Sequence, residues 1–350
     1  MHQRAISLER RIRAFAVLGK VMRDAAAGIR ESRTITFFDL IFSLETINPW
    51  FTPENVRRAL RAIGENLNEE NLRRWLERYP DLSLMDEPAT VGVVMAGNIP
   101  LVGFHDLLCV LITGNRLIAR LSSKDEPLMR AVTETLISHE PAMREFVSLT
   151  TENLSGFEKV IATGSDNTAR YFEYYFRDYP SIIRKNRNSV AVVDGTETDE
   201  ELRLLGDDIF AFFGLGCRSV SKLYLHEGYD LVTMTAQWQR YEKLRRHYKY
   251  AVNYDHNKAV MLVNRQQFTD TGFILLRHDT SLAPPMAVVN YEFYPSVDWL
   301  KKELESGRSA VQCVTGHGYV PFGKAQQPEL WDYADDVDTI QFLLKKNTPL

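Results

Sequence analysis

The sequence predicts an α/β protein: two domains built on parallel sheets, preceded by a helical N-terminal segment. Three observations predict it. The chain has 350 residues, 45% hydrophobic and 25% charged, enough to bury more than one core. From about residue 88, short apolar runs alternate with helical patterns, the signature of parallel strands joined by right-handed crossovers and covered on both faces. Before residue 88 the apolar residues recur at helical spacing instead.

Residues 5–30 place Ile6, Ile12, Phe15, Ala16 and Val21 on one face, an amphipathic helix expected to pack on a domain. Its basic face leaves a membrane surface as the alternative. Thr52-Pro-Glu-Asn opens a helical stretch over 53–78 that carries Val56, Leu60, Ile63 and Leu67. A buried strand is predicted at 90–95, then the turn Ala96-Gly-Asn-Ile-Pro100 and a helix through 112. Thr113-Gly-Asn115 breaks to a strand at 116–119, and Ser122-Ser-Lys-Asp-Glu-Pro127 opens a helix over 128–137. The strand 159–162 ends at Thr163-Gly-Ser165, before a helix over 168–176. The strand 189–193 and a helix over 200–213 lead into Cys217, and a strand follows at 222–225. The alternation continues through 259–263, 273–276, 286–291 and 310–314, and 338–344 reads as a strand. Parallel sheets bind ligands at the carboxyl ends of their strands, where Asn98, Ser122 and Gly164-Ser165 all fall.

A formal charge of -4 with a pI near 6.1 gives no drive toward nucleic acid or an anionic membrane. Three cysteines argue against a disulfide framework and for a reducing compartment, and no Cys/His spacing resembles a metal site. Met1-His-Gln-Arg-Ala lacks an apolar signal core, and the apolar stretch 101–113 is too short to span a bilayer. A soluble cytoplasmic protein is expected.

The most informative residue is Cys217. It follows an apolar run ending at Gly214, within Gly214-Leu-Gly-Cys-Arg-Ser219. Glycines there let a substrate carbonyl approach the backbone, and a neighbouring cation or amide dipoles lower a thiol's pKa, making it a nucleophile for thioesters and aldehydes. A buried structural cysteine is the alternative. Asn98 after a strand either satisfies a turn or donates to an oxyanion. Thr163-Gly-Ser165 reads as a plain helix cap or as a phosphate-binding helix start. No GxGxxG is present. His105 on an apolar helix reads as a core or capping histidine, whereas His317 in Thr315-Gly-His-Gly318 is open to an acid–base role. Cys109 and Cys313 read as packing.

Five segments in order carry a resemblance: Met95-Ala-Gly-Asn-Ile-Pro-Leu101, Thr113-Gly-Asn-Arg-Leu-Ile118, Ala162-Thr-Gly-Ser165, Gly214-Leu-Gly-Cys217 and Pro321-Phe-Gly-Lys-Ala-Gln326. Together they resemble the aldehyde dehydrogenase superfamily. The closing Leu330-Trp-Asp-Tyr-Ala-Asp-Asp-Val-Asp-Thr339 and the short length are similar to the LuxC-type acyl-CoA reductases. The resemblance covers about 88–345. It implies an aldehyde-dehydrogenase-like fold, with 1–87 a helical segment packed on the cofactor domain and 88–208 the nucleotide-binding domain. It further implies 209–320 as the catalytic domain carrying Cys217, and 321–350 as a C-terminal return and strand used in oligomerisation. It makes Cys217 the nucleophile, and Asn98 with the Cys217 N–H the oxyanion hole. Gly164 and Ser165 stand beneath the cofactor pyrophosphate. Arg120 and Ser122 stand near the adenosine ribose or its phosphate, where arginine replaces the usual lysine and favours NADPH over NADH.

Two departures from the superfamily stand out. The stretch Ser181-Ile-Ile-Arg-Lys-Asn-Arg-Asn188 has no carboxylate where hydrolytic members hold a glutamate. Ser281-Leu-Ala-Pro-Pro285 lacks the glutamate that holds the nicotinamide ribose. Hydrolysis of a thioacyl-enzyme needs a general base, but thioester exchange does not, because coenzyme A leaves as a thiolate. The expected function is NADPH-dependent reduction of a long-chain fatty acyl-CoA to the aldehyde, without metal and by a homodimer or higher homo-oligomer. The alternatives are a non-acylating aldehyde dehydrogenase with a base such as His317, or a redox-inactive acyl-carrying scaffold subunit.

Overall fold

The computed structural model describes residues 6–80, 82 and 88–345. Residues 1–5, 81, 83–87 and 346–350, and the parts of the expected terminal segments that fall on them, lie outside the described residues. The chain divides into two units: residues 1–185 with 329–350, and residues 186–328.

The first unit begins with α1 (Leu8–Ala26), α2 (Ile35–Ser43), α3 (Pro53–Asn66) and α4 (Glu69–Leu76). α1 buries Ile12, Phe15, Leu18, Val21 and Met22, the stripe expected of a helix with one core face. Each such side chain contributes about 1.5–3 kcal/mol of burial. The stretch 53–78, one helix in the sequence reading, is two. Leu67 breaks it, and Asn68 starts α4 by accepting the Asn71 N–H at 2.8 Å. α1 and α3 cross where Gly19 and Gly64 meet: a Cβ on Gly19 would lie 2.2 Å from the Leu67 carbonyl oxygen, and one on Gly64 2.8 Å from that of Gly19.

The sheet of this unit contains β1 (Thr90–Val94), β2 (Arg116–Arg120), β3 (Val147–Thr150), β4 (Lys159–Thr163) and β5 (Ser181–Arg184), all parallel, in the order β3-β2-β1-β4-β5. The crossovers are α5 (Phe104–Ile112), α6 (Glu126–His139) and α7 (Asp166–Tyr175). From β1 the chain winds one way to β2 and β3, and from β4 the other way to β5. The direction therefore reverses between β1 and β4, which is the switch point where open α/β sheets take ligands.

The second unit holds β6 (Asn188–Val193), α8 (Asp199–Phe210), β7 (Val220–His226), α9 (Leu231–Ala236), α10 (Tyr248–Val263), β8 (Thr269–Asp270), β9 (Leu275–His278), β10 (Val288–Tyr294), α11 (Val297–Ser306) and β11 (Val311–Thr315). Its sheet runs β11-β6-β7-β10-β9-β8, parallel except for β8. The apolar run 259–263, placed in the strand alternation by sequence, is the end of α10. Val260, Leu262 and Val263 there are exposed. The sequence-based division at 208/209 falls inside α8, and the units part at 185/186.

The last segment belongs to the first unit. Residues 339–344, read as a strand, form α12 (Thr339–Leu344), which Asp338 caps by accepting the Gln341 N–H at 2.8 Å. Ile340 and Leu343 are buried in the first unit's core. The Lys159 ammonium on β4 donates to the carbonyls of Phe342 at 3.2 Å, Leu343 at 3.0 Å and Lys345, offsetting the negative end of the helix. The strand pairing expected across subunits thus has no strand to use among residues 338–344. Trp75 Nε1 donates to the Tyr333 hydroxyl at 2.8 Å, and the Tyr79 hydroxyl joins Tyr333 at 2.7 Å and donates to Asp338 at 2.7 Å. Arg184 donates to both oxygens of Asp106 at 2.6 and 2.5 Å and to Thr339 Oγ1 at 3.0 Å, in a buried cluster.

Removing one member of a buried ion pair leaves the other charge uncompensated. Asp106→Ala is expected to cost about 3–5 kcal/mol in urea unfolding. The paired change Asp106→Leu with Arg184→Met restores most of that loss. A single Asp106→Ala variant of wild-type stability would contradict this account.

Candidate functional site

The carboxyl ends of three adjacent strands in the first unit carry most of the residues singled out by sequence. β1 leads into Met95 to Leu101 with Asn98, β2 ends at Arg120 and leads to Ser122, and β4 leads into Gly164 and Ser165. Asn98, Arg120, Ser122 and Gly164 are half-buried, and Ser165 is exposed. The loops after β1 and β2 touch directly: a Cβ on Gly97 would lie 2.3 Å from Ser122 Oγ. Asp125 joins them, its Oδ2 accepting the Leu101 N–H at 2.9 Å while Oδ1 is buried without a hydrogen-bond partner. Burial pushes the Asp125 carboxyl well above the usual carboxylate range, against the pull of the Leu101 N–H. Sequence reasoning missed Asp125; only its place after a strand marked it.

Ser165 is the N-cap of α7, its Oγ accepting the Thr168 N–H at 3.3 Å. Gly164 allows close packing, since a Cβ there would meet Thr168 and Phe172 at 3.0 Å. The rim of this crevice offers hydroxyls (Ser122, Ser165, Thr168), one guanidinium (Arg120) and an exposed helix N-terminus. That donor set suits the ribose and phosphate groups of a dinucleotide, while Asp166 in the first turn of α7 works against a phosphate.

Cys217 stands in the second unit, in the connection entering β7. α8 starts with a capping box: Thr198 Oγ1 accepts the Glu201 N–H at 3.2 Å, and Glu201 accepts the Thr198 N–H at 2.8 Å. The helix predicted to run to 213 stops at Phe210, because Phe212 (φ 53°), Phe213 (φ 58°) and Gly214 (φ 75°) are left-handed in succession. Such backbone costs about 1–2 kcal/mol per non-glycine residue. The two phenylalanines are buried, with the Phe213 ring tilted against that of His247 at 4.4 Å, which offsets the strain. A turn closed by the Ser219 N–H to the Gly216 carbonyl at 2.9 Å then presents Cys217, half-buried. Ser189 Oγ on β6 donates to the Cys217 carbonyl at 2.9 Å, tying the turn to the amino end of the sheet.

The segment 321–326 packs behind this turn. Arg218 Nε donates to the Ala325 carbonyl, and Gln326 Nε2 donates to Ser219 Oγ at 3.1 Å. Asp208 on α8 accepts the N–H groups of Gly323 at 2.7 Å and Ala325 at 2.9 Å. Sequence reasoning singled out 321–326 by resemblance but gave no part to Asp208 or Gln326.

His317 lies at the other end of the same sheet. It follows β11, and its Nδ1 is 3.0 Å from Asp194 and its Nε2 3.0 Å from Glu201. β6 alone spans six residues, so about 15–20 Å separates the two ends. His317 is therefore no base for Cys217 within this unit. A cavity of about 680 Å³ opens at the His317 end, lined by Asp194, Thr196, His226, Glu227, Tyr294 and Ser296, likewise away from the thiol. Asp194, Glu197 and His317 bring ligand-type atoms within 4.8 Å of one another. They are engaged already: Glu197 accepts the N–H groups of Asp194 and Gly195, and His317 bridges two carboxylates.

His105 is buried in the first unit, with Nε2 3.0 Å from the Leu330 carbonyl, so that nitrogen carries the proton. Burial lowers its pKa and keeps it neutral. It is a core histidine, as its apolar helix predicts. Cys109 and Cys313 are buried. In the hydrolytic position, 181–188 does structural work: Arg184 pairs with Asp106, and Arg187 donates to the Val311 carbonyl at 3.4 Å.

The fold is that of an aldehyde dehydrogenase. Solved structures with this fold include aldehyde dehydrogenase 21 from Physcomitrella patens in complex with succinate (TM-score 0.57, 12% identity, 88% of this chain and 76% of that one). An acetylating aldehyde dehydrogenase from Geobacillus thermoglucosidasius gives a TM-score of 0.58 at 10% identity over 89% and 76%. A propionaldehyde dehydrogenase from Clostridium phytofermentans, a His387Ala mutant in its own numbering, gives 0.56 at 8% over 88% and 78%. No curated protein sequence matches the chain. The acyl-CoA reductase (LuxC) family matches residues 26–269, and the chain belongs to that family. It is an oxidoreductase enzyme. No helix among the described residues is long and apolar enough to cross a membrane.

The Glu201 and Asp194 bridges raise the His317 pKa. A raised histidine stabilises the fold fully below its ordinary value near 6.5, and loses that contribution as pH rises through the raised one. His317→Ala is accordingly expected to lower the melting temperature at about pH 6 and much less at about pH 10. Equal losses at both values would overturn the charged bridge.

Proposed function

We propose that the protein reduces a fatty acyl-CoA thioester to the aldehyde with NADPH, through a thioacyl group on Cys217. One observation carries this reading: neither of the two candidate bases for hydrolysis serves the thiol on its strained, anchored turn. Residues 181–188 contain no carboxylate, and His317 belongs to the far end of the sheet. Membership of the acyl-CoA reductase family and the fold shared with an acetylating aldehyde dehydrogenase support the same choice.

In this proposal the Cys217 thiolate attacks the carbonyl carbon, and the oxyanion accepts hydrogen bonds from the Cys217 N–H and the Asn98 amide. The bond to coenzyme A breaks and the coenzyme leaves as its thiolate, so no base is consumed. NADPH, when bound, supplies the hydride that converts the acyl group to the aldehyde. Gly164 and Ser165 would sit beneath its pyrophosphate, and Arg120 with Ser122 would take the ribose or its 2′-phosphate, the reason NADPH is preferred to NADH. Cys217 is released as thiolate, ready for a second acyl group. Aldehyde oxidation to the acid, the competing reading, loses His317 as its base.

Intact mass spectrometry after mixing with a long-chain acyl-CoA and no NADPH tests the proposal. Wild type should gain the acyl mass and lose it when NADPH is added, while Cys217→Ala gains nothing. Asn98→Ala should slow acylation by about 10²–10³-fold, the loss typical of one oxyanion donor. No adduct on any of the proteins would sink the acyl-transfer reading in favour of a scaffold subunit or aldehyde oxidation.

A further inference from the structure

We propose that Asp208 is a positioning residue for the nucleophile, acting through the segment 323–326 on the turn that carries Cys217. The inference rests on the reading of Cys217 as nucleophile. Asp208 is fully buried on α8, the helix that leads to the cysteine. Its carboxylate faces no salt-bridge partner among the described residues. It is spent on two backbone N–H groups, Gly323 to Oδ2 and Ala325 to Oδ1.

Those two bonds fasten to α8 a segment whose own bonds are local turns, Lys324 N–H to the Pro321 carbonyl at 3.1 Å and Gln327 N–H to the Lys324 carbonyl at 3.0 Å. Gly323 is left-handed (φ 81°), and a Cβ there would lie 2.9 Å from Leu204, so this backbone rests directly on α8. From the fixed segment two further links reach forward. The Ala325 carbonyl accepts from Arg218, whose guanidinium is also 3.6 Å from Cys313 Sγ, and Gln326 donates to Ser219. Arg218 and Ser219 are the two residues after Cys217, and Ser189 on β6 donates to the Cys217 carbonyl at 2.9 Å. Ser189 ties the turn to β6, and the links from Arg218 to Ala325 and from Gln326 to Ser219 run through the segment that Asp208 anchors, beside the direct contacts of Arg218 to Cys313 and of Ser219 to the Ala211 carbonyl.

The chemistry of the anchor fits the role. A buried carboxylate without a cation on it is costly, and burial pushes this one up to about 7 against the pull of its two N–H partners. Asp207 adds to the rise and Arg218 opposes it, so the state of Asp208 and the placement of Arg218 are linked. An apolar residue would fill the same space at lower cost but would leave the buried Ala325 N–H and the half-buried Gly323 N–H without this partner. Without the anchor, Arg218 is free to leave the Ala325 carbonyl, and the electrostatic surroundings of the neighbouring thiol change with it.

The test compares wild type with Asp208→Asn, reading the iodoacetamide alkylation rate of Cys217 from about pH 6 to about pH 9, together with kcat and KM for a long-chain acyl-CoA. Asp208→Asn puts an amide N–H against a backbone N–H. The alkylation profile should shift along the pH axis, and kcat should fall about 10- to 100-fold with KM little changed, as for a misplaced reacting group. Gln326→Ala cuts the last link without touching the buried carboxylate, so it serves where Asp208→Asn does not fold, and should move the profile in the same direction. An unshifted alkylation profile with unchanged kcat, in folded Asp208→Asn or in Gln326→Ala, overturns the proposal. Iodoacetamide reads the thiol directly, so wild type that alkylates but never carries an acyl group would count against the acyl-transfer reading and leave the positioning result standing.

Discussion

Parallel strands impose one constraint on which everything else in this molecule depends: every crossover must leave from the same edge of the sheet. In the first unit that edge collects Asn98, Arg120, Ser122 and Ser165 from three neighbouring strands, although the sequence spreads them over 98–165. The reversal of winding between β1 and β4 opens the crevice there. Cys217 obeys a different rule. It lies in the connection entering β7, at the amino edge of its sheet, where topology provides no crevice. Its presentation is a matter of local backbone, through Phe212, Phe213 and Gly214 in left-handed conformation, and of tethers from Ser189 and the 323–326 segment.

Much of the fold was legible because buried parallel strands read as short apolar runs, and 90–94, 116–120, 159–163 and 188–193 are such runs. Two apolar stretches misled for the same reason. At 259–263, exposed Val260, Leu262 and Val263 give a strand-like composition, while the helical period is carried by buried Tyr250, Tyr254 and Met261. At 338–344, Asp338 as a cap and the spacing of Thr339, Ile340 and Leu343 mark a helix in a stretch too short for periodicity to settle. The candidate residues of the first unit were legible as residues after strands. Asp208 and Asp125 were not, because an aspartate on a helix or in a polar loop looks like a solvated surface group until the backbone N–H groups it accepts are brought to it by distant chain.

Three buried aspartates show three answers to one electrostatic problem. Asp106 is paired with the Arg184 guanidinium. Asp125 has its pKa driven up by burial, with one oxygen on a backbone N–H and the other unpartnered. Asp208 stands between, balanced near neutrality by two backbone donors against desolvation. The first is structural and closes the C-terminal return onto the sheet. The other two brace the loops of Asn98 and the turn of Cys217, the places where small displacements matter to chemistry.

The first unit is interrupted in sequence: residues 329–345 complete it only after all of 186–328 has been made. On a ribosome this inverts the order of maturation. The later-synthesised unit is contiguous, and every residue of its core is made before the first unit has all of its own. The earlier one waits with the surfaces of Trp75, Tyr79 and α5 uncovered until Tyr333, Ile340 and Leu343 arrive. Exposed apolar surface of that kind attracts chaperones and drives aggregation of nascent chains, so the speed with which the final segment emerges sets how long the growing chain is vulnerable.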